Sequence, residues 1–205
     1  MVLFDFDGTI VDLWQRYYSV FVDLLHLKDL SLSAYKKRKL LFHSDSLVAK
    51  DIGCVLPEDY YSKKASLLEE RKYLIKDTLL LDLSVLNSVL RQDAAILTKR
   101  RNKEAFIWQM NYLGIEGTPF VIENSSKKQW IESTINDNQS VTIIGDSIAE
   151  LECATLPNVD AWMVGYGLNT KESFNSLNIP YSYYHDPNDL NERIRSLCNK
   201  CNSVI

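Results

Sequence analysis

VLFDFDGTIVD, residues 2–12, combines a strongly apolar run with three acidic residues and a Gly-Thr pair. An apolar run of this kind is typical of a strand buried on both faces of a parallel sheet. Asp5 and Asp7 lie two apart at its end, so on an extended chain both carboxylates project to the same side. They repel each other unless a cation is bound there or they perform different tasks. Gly8 permits a tight turn after them, and Asp12 is interpreted as the cap of a following helix.

Apolar runs and helical patterns alternate along much of the chain, which predicts βαβ units and a doubly wound, Rossmann-like α/β fold with a parallel sheet. Residues 13–88 interrupt this alternation, because they show helical patterns and no convincing strand. We therefore expect a core formed by residues 1–12 and 89–205 and an α-helical insertion at 13–88, directly after the first strand. The predicted strands are Val2–Phe6, Ala94–Leu97, Phe120–Ile122, Val141–Ile144 and Ala161–Val164.

Polar residues follow the predicted strands at the edge where open parallel sheets bind ligands. Thr98 follows the second strand and is suited either to bind an anion or to cap a helix. Lys127 and Lys128 begin the helix after the third strand, where cations are disfavoured, so one of them binds a phosphate or both are solvated. Asp146 follows the fourth strand, and Glu150 lies one helical turn later. Carboxylates that converge in this way suit Mg²⁺.

Basic residues near these strand ends are candidate substrate ligands. Lys99 and Arg100 directly follow Thr98, and Arg16 lies in the insertion soon after the first motif. One of Arg100 and Arg101 is suited to a second carboxylate or phosphate of a substrate, and the other to the protein surface. We expect Thr98, Lys99, Arg100 and Arg16 to contact the substrate.

The overall composition excludes some classes of partner. The chain has 205 residues, a formal net charge of −4 and a sequence pI of about 5.4, so bulk charge favours neither nucleic acid nor an anionic membrane. No apolar run approaches the roughly 20 residues of a membrane span. The four cysteines are scattered except for Cys198 and Cys201, which stand three apart, and a reducing compartment is the default, so we expect a cytoplasmic protein. The sequence specifies no oligomeric state.

The motifs in this order resemble the haloacid dehalogenase superfamily of phosphohydrolases, and within it the phosphoglycolate phosphatase-like proteins. The resemblance is carried by DFDGTIVD at 5–12, by Thr98, by Lys127 or Lys128, and by GDSIAE at 145–150. It covers nearly the whole chain. It implies that the insertion at 13–88 is a C1-type helical cap.

The resemblance also implies a mechanism, that of a Mg²⁺-dependent phosphatase acting on a small phosphorylated metabolite. Asp5 would be the nucleophile that forms an aspartyl-phosphate, and Asp7 the general acid and base. The Asp5 and Asp146 side chains and the Asp7 backbone carbonyl would hold Mg²⁺, with Glu150 either a direct ligand or a partner of the lysine. Thr98 and Lys127 or Lys128 would bind the transferred phosphoryl group.

Two other functions are open at this point. A phosphomutase acting on a sugar phosphate would share the nucleophile and differ in how its cap excludes water. A non-catalytic binding or regulatory protein on the same fold is disfavoured, because binding alone would not need all of the catalytic residue types.

Overall fold

The computed structural model describes residues 1–136 and 138–202, with side chains up to residue 196. A parallel sheet of six strands, in the order β5-β4-β1-β6-β7-β8, forms the core, and a separate antiparallel pair joins β2 to β3. The strands are β1 (Val2–Phe4), β2 (Val11–Asp12), β3 (Thr78–Leu79), β4 (Ala94–Thr98), β5 (Pro119–Val121), β6 (Val141–Gly145), β7 (Val159–Val164) and β8 (Ser182–Tyr184). The doubly wound α/β core predicted from the sequence is confirmed.

Apolar residues on consecutive positions of the strands pack on opposite faces of the sheet. In β1, Leu3 belongs to the hydrophobic cluster on one face and Phe4 to the cluster on the other, and both are fully buried. Because both faces are covered, the strands read as continuous apolar runs without polar alternation. All five predicted strands are present. The edge strand β8 was not predicted, because its Ser-Tyr-Tyr sequence is short, polar at its start and only partly buried. The two-residue strands β2 and β3 were not predicted either, and β3 lies within residues 13–88, where no strand was expected.

Eleven helices are present in the described part of the chain, and they divide between the core and the insertion. Residues between β2 and β3 form a helical unit with its own cluster around Phe21, Tyr35 and Tyr60. We call this unit, α1 to α5, the cap. The helices are α1 (Trp14–Leu25), α2 (Leu32–Phe42), α3 (Asp45–Asp51), α4 (Tyr60–Leu67), α5 (Arg71–Leu74), α6 (Leu83–Leu90), α7 (Lys103–Leu113), α8 (Lys127–Thr134), α9 (Ile148–Leu151), α10 (Lys171–Asn175) and α11 (Pro187–Asn202).

The end of the cap differs from the predicted boundary at residue 88. Val85, Leu86 and Val89 of α6 pack in the same cluster as Phe4, so this helix belongs to the core. Its apolar face resembles that of a cap helix in sequence, and only packing separates the two. By packing, the cap therefore ends near the β3 strand.

The two connections between cap and core run side by side. Val11 pairs with Leu79 in the β2–β3 ladder, and the backbone amide of Leu80 donates to Ile10 at 2.9 Å. Asp12, as predicted, caps the start of α1, because its carboxylate accepts from the Trp14 amide at 2.9 Å. This short ladder joins the strand that leads into the cap to the strand that leaves it.

Within the described ranges, the structure contains no helix that is both long and apolar enough to cross a membrane.

Replacing Gly8 tests the tight turn after β1. Gly8 has a φ of +83°, and a Cβ there would overlap the Asp146 carboxylate, whereas Gly53 has a φ of +76° and open space around it. Both Gly→Ala changes strain the backbone, by roughly 1–2 kcal/mol. We expect Gly8→Ala to lower the free energy of unfolding by about 1–3 kcal/mol more than Gly53→Ala, owing to the added overlap. Urea unfolding measures the difference, and equal losses would contradict the close approach.

Candidate functional site

The position of β1 in the middle of the sheet places Asp5 between two other strand ends. Phe4 is in register with Ile96 of β4 on one side and Ile144 of β6 on the other. The Asp5 amide continues the ladder by donating to the Ile144 carbonyl at 2.8 Å. Since all these strands are parallel, the residues that follow them meet at one edge.

A cavity of about 370 Å³ lies at this edge, between the core and the cap. The cap contributes Tyr17, Ala65, Leu68 and Glu69 to its wall. Two of the predicted site residues, Arg16 and Lys128, lie outside the wall. The predicted site residues that line it are Asp5, Asp7, Thr98, Lys99, Arg100, Lys127, Asp146 and Glu150.

Three carboxylates form a buried cluster at the base of the cavity. Asp5, Asp146 and Glu150 each offer an oxygen, and these oxygens lie within 4.8 Å of one another. Lys127 pairs with Asp5 and, at 2.6 Å, with Glu150. Asp146 accepts a hydrogen bond from the Leu168 amide at 2.6 Å.

This cluster has too little positive charge for its three acids. Burial raises the pKa of Asp5 to about 7, with Lys127 lowering it and Glu150 raising it. Burial, with the neighbouring charges of Asp5 and Glu150, raises the pKa of Asp146 well above its ordinary value. Three close, buried oxygen donors with one lysine fit a hard divalent cation, because such an ion would offset the remaining repulsion. The donor set therefore suits Mg²⁺.

The structure separates the two neighbouring lysines. Ser126 caps α8 by accepting from the Gln129 amide at 3.1 Å, and this cap directs Lys127 into the cluster, where its exposed fraction is 4%. Lys128 is partly exposed on the next position of the helix. Lys127 is thus the lysine of the third motif that reaches the site, and Lys128 does not reach it, because one residue of helix turns its side chain away by about 100°.

Glu150 has a partner on each of its carboxylate oxygens. Oε1 pairs with Lys127 at 2.6 Å, and Oε2 accepts from the Ser147 amide at 2.9 Å. This arrangement fits the predicted alternative in which Glu150 holds the lysine.

Asp7 is in a different electrostatic environment from Asp5, although both line the cavity. Arg100 binds the Asp7 carboxylate with two hydrogen bonds, Nε to Oδ2 at 2.5 Å and Nη2 to Oδ1 at 2.9 Å, and Arg16 pairs with the same group. Burial acts to raise the pKa of Asp7, but the charges of Arg100 and Arg16 outweigh it, so the pKa lies below its usual range. The structure thus places Arg16 and Arg100 on Asp7.

Three further residues surround the arginines and were not predicted. Glu69 from the cap binds Arg100 at 2.9 Å, and Asp77, just before β3, lies 3.2 Å from Arg16. Gln109 of α7 contacts both Arg100 and Asp77. No local pattern marks these residues, since each is a single polar residue on a helix or in a loop. Asp77 alone has a weak sequence signal, because it is an isolated acid before an apolar run in KDTLLL at 76–81.

Removing the Lys127 charge tests the cluster. Lys127→Met, measured with a chelator present, leaves three buried carboxylates without their lysine, so we expect a loss of about 3–5 kcal/mol in the free energy of unfolding. Lys128→Met is the matched control and should change it by less than about 0.5 kcal/mol. Urea unfolding of both variants provides the measurement. Similar effects of the two changes would show that Lys127 is not the group holding the cluster.

Comparisons with known proteins support the fold. No protein-family model matches the chain, and no curated protein sequence matches it. Solved structures do match. A haloacid dehalogenase-like family hydrolase from Streptococcus pneumoniae superposes with a TM-score of 0.64 at 16% identity, covering 92% of this chain and 95% of the other. A predicted phosphoglycolate phosphatase from Haemophilus somnus gives 0.65 at 15% identity, covering 93% and 95%.

A third similar structure carries ligands. A HAD family hydrolase from Deinococcus radiodurans, solved with bound phosphate and sodium, gives a TM-score of 0.58 at 13% identity and covers 90% of each chain. The protein therefore has the fold of haloacid dehalogenase-like hydrolases, including those named as phosphoglycolate phosphatases, as its motifs predicted.

Proposed function

We propose that this protein is a Mg²⁺-dependent phosphatase that hydrolyses a small phosphomonoester through an aspartyl-phosphate on Asp5. The observation that carries the proposal is the contrast between two carboxylates on one cavity. Asp5 lies in a cluster suited to a cation, and Asp7 is held by two arginines. A phosphate ester needs both a nucleophile and an acid–base group at this spacing. The fold shared with named phosphatases supports this assignment.

In the first step, an Asp5 oxygen attacks phosphorus and the bond from phosphorus to the leaving oxygen breaks. Asp7 gives a proton to that oxygen, so the product leaves as an alcohol. The two arginines favour the ionised form of Asp7, whereas the negative charge of an arriving phosphate favours its protonation. In the second step, Asp7 takes a proton from water, which attacks phosphorus and releases inorganic phosphate and the free Asp5 carboxylate.

Thr98 and Lys127 would bind the non-bridging oxygens of the transferred group. Thr98 has an exposed fraction of 2% and its side chain lines the cavity beside Asp5, and Lys127 already touches the Asp5 carboxylate. Donors fixed before the reaction stabilise the charge that develops on phosphoryl oxygens.

Mg²⁺ would be held by the side chains of Asp5 and Asp146 and the backbone carbonyl of Asp7. When bound, the ion neutralises charge on the phosphate and the carboxylates. Glu150 would act through Lys127, which it holds in place. Residues of the protein thereby orient the nucleophile, and the cap supplies part of the cavity wall.

The cavity indicates a small leaving group. Its volume of about 370 Å³ is at the low end of ligand sites, and the cap side offers both apolar wall, from Ala65 and Leu68, and polar groups, from Tyr17 and Glu69. Lys99 and Arg101 line it and are exposed. We propose a small phosphorylated metabolite as substrate and a cytoplasmic location for the enzyme.

Hydrolysis of 4-nitrophenyl phosphate with Mg²⁺ tests the activity. We expect Asp5→Asn to reduce kcat by about 1000-fold or more, because the amide cannot form the acyl-phosphate. Asp160→Asn, an exposed acid on β7, is the control and should keep full activity. A broad panel of phosphomonoesters then identifies the preferred substrate. Full activity in Asp5→Asn, or an isomerised sugar phosphate in place of free phosphate, would contradict the proposal.

Metal binding is testable without turnover. We expect Mg²⁺ at about 100 times its Kd to stabilise the wild-type protein by about 2.7 kcal/mol, seen as a rise in Tm. Asp146→Asn should remove this rise while leaving the metal-free protein folded, because it removes one of the buried, repelling acids. Asp160→Asn should keep the rise. An undiminished rise in Asp146→Asn would show that Mg²⁺ binds elsewhere.

A further inference from the structure

The Asp7 carboxylate is bound by two arginines, one from the core and one from the cap. Arg100 follows β4, and its guanidinium lies over the rings of Phe6 and Phe106 at 5.6 and 5.8 Å. Arg16 comes from α1 of the cap. Both arginines are buried, so the position of each guanidinium depends on the protein groups that bind it.

Gln109 connects the two arginines through Asp77. Its carbonyl oxygen accepts from Arg100 Nη2 at 2.7 Å, and its amide nitrogen donates to Asp77 Oδ2 at 2.8 Å and to the Leu74 carbonyl at 3.2 Å. Asp77 Oδ1 lies 3.2 Å from Arg16 Nε. The contacts form a closed ring: Asp7, Arg100, Gln109, Asp77, Arg16 and back to Asp7. Gln109 is fully buried, and neither it nor Asp77 lines the cavity.

A carboxamide suits this place better than other side chains of its size. One end of the Gln109 group must accept a hydrogen bond and the other must donate two. Glutamate would lack the donor, and methionine would lack both. The guanidinium on one side can only donate and the Leu74 carbonyl on the other can only accept, so the carboxamide has a defined orientation.

We propose that Gln109 and Asp77 are positioning residues, which hold Arg100 and Arg16 so that the Asp7 carboxylate faces the leaving oxygen of the substrate. This inference rests on the proposed phosphatase function. It assigns a task to buried residues that touch neither substrate nor metal. It also predicts that a change at Gln109 acts on proton transfer by Asp7 and spares attack by Asp5.

A pair of substrates with different leaving groups separates these two effects. Phenyl phosphate releases a phenol with a pKa of about 10, as in tyrosine, and needs a proton from Asp7. 4-Nitrophenyl phosphate releases a far more acidic phenol, which departs without that proton. In Gln109→Met we expect kcat/KM, which reports the steps up to release of the leaving alcohol, to fall at least about 10-fold more for phenyl phosphate than for 4-nitrophenyl phosphate, a part of the usual contribution of general acid catalysis. A merely structural defect would lower both rates equally.

Gln92→Met, the same change at an exposed position, is the matched control and should leave both rates unchanged. Asp77→Asn is a second variant with the same expected selectivity, should Gln109→Met fail to fold by circular dichroism. Equal losses on both substrates, no loss, or a larger loss on 4-nitrophenyl phosphate would overturn the inference. If the wild-type protein hydrolyses neither substrate with Mg²⁺, the proposed function itself fails. If the wild-type protein turns over both substrates but the variant leaves the ratio of the two rates unchanged, only the inference about Gln109 and Asp77 fails.

Discussion

Repulsion among Asp5, Asp146 and Glu150 is the constraint around which the site is built. Their oxygens lie within 4.8 Å of one another in a buried place, and the ammonium of Lys127 pairs with Asp5 and Glu150. Such a cluster is costly unless further positive charge is bound. The glycine turn at Gly8 serves the same cluster, because its missing side chain leaves room for the Asp146 carboxylate.

Asp5 and Asp7 show how environment separates two identical side chains. They are two residues apart and line one cavity, but burial among acids raises the pKa of Asp5, whereas two guanidiniums lower that of Asp7. The second environment exists only because the cap lies against the core, since Arg16 and Glu69 come from the cap and Arg100 from the core. The cap thus contributes to the electrostatic environment of Asp7 as well as to the wall of the cavity.

The basic residues near the cavity have different partners from those predicted from the sequence. Arg16 and Arg100 were expected to meet the substrate, but their guanidiniums are engaged by Asp7, Asp77 and Glu69. Lys99, expected in the same role, lines the cavity together with Arg100, whereas Arg16 does not line it. Burying a guanidinium without a carboxylate partner costs free energy. Buried arginines near an acidic motif are therefore expected to pair with carboxylates of the protein itself.

The parallel core sheet, and the acidic and hydroxyl groups that follow its strands, could be predicted from the sequence. This was possible because two-faced burial produces apolar runs, and parallel strands bring their carboxyl ends to one edge. The tertiary packing was needed to show that Lys127 and not Lys128 enters the site, that α6 packs with the core, and that Asp7 is joined through its arginines to Gln109 and Asp77. These outcomes depend on the rotation of one helix and on contacts between residues far apart in the chain. No local pattern encodes such contacts, because each partner is an ordinary polar residue until the fold brings it next to a charge.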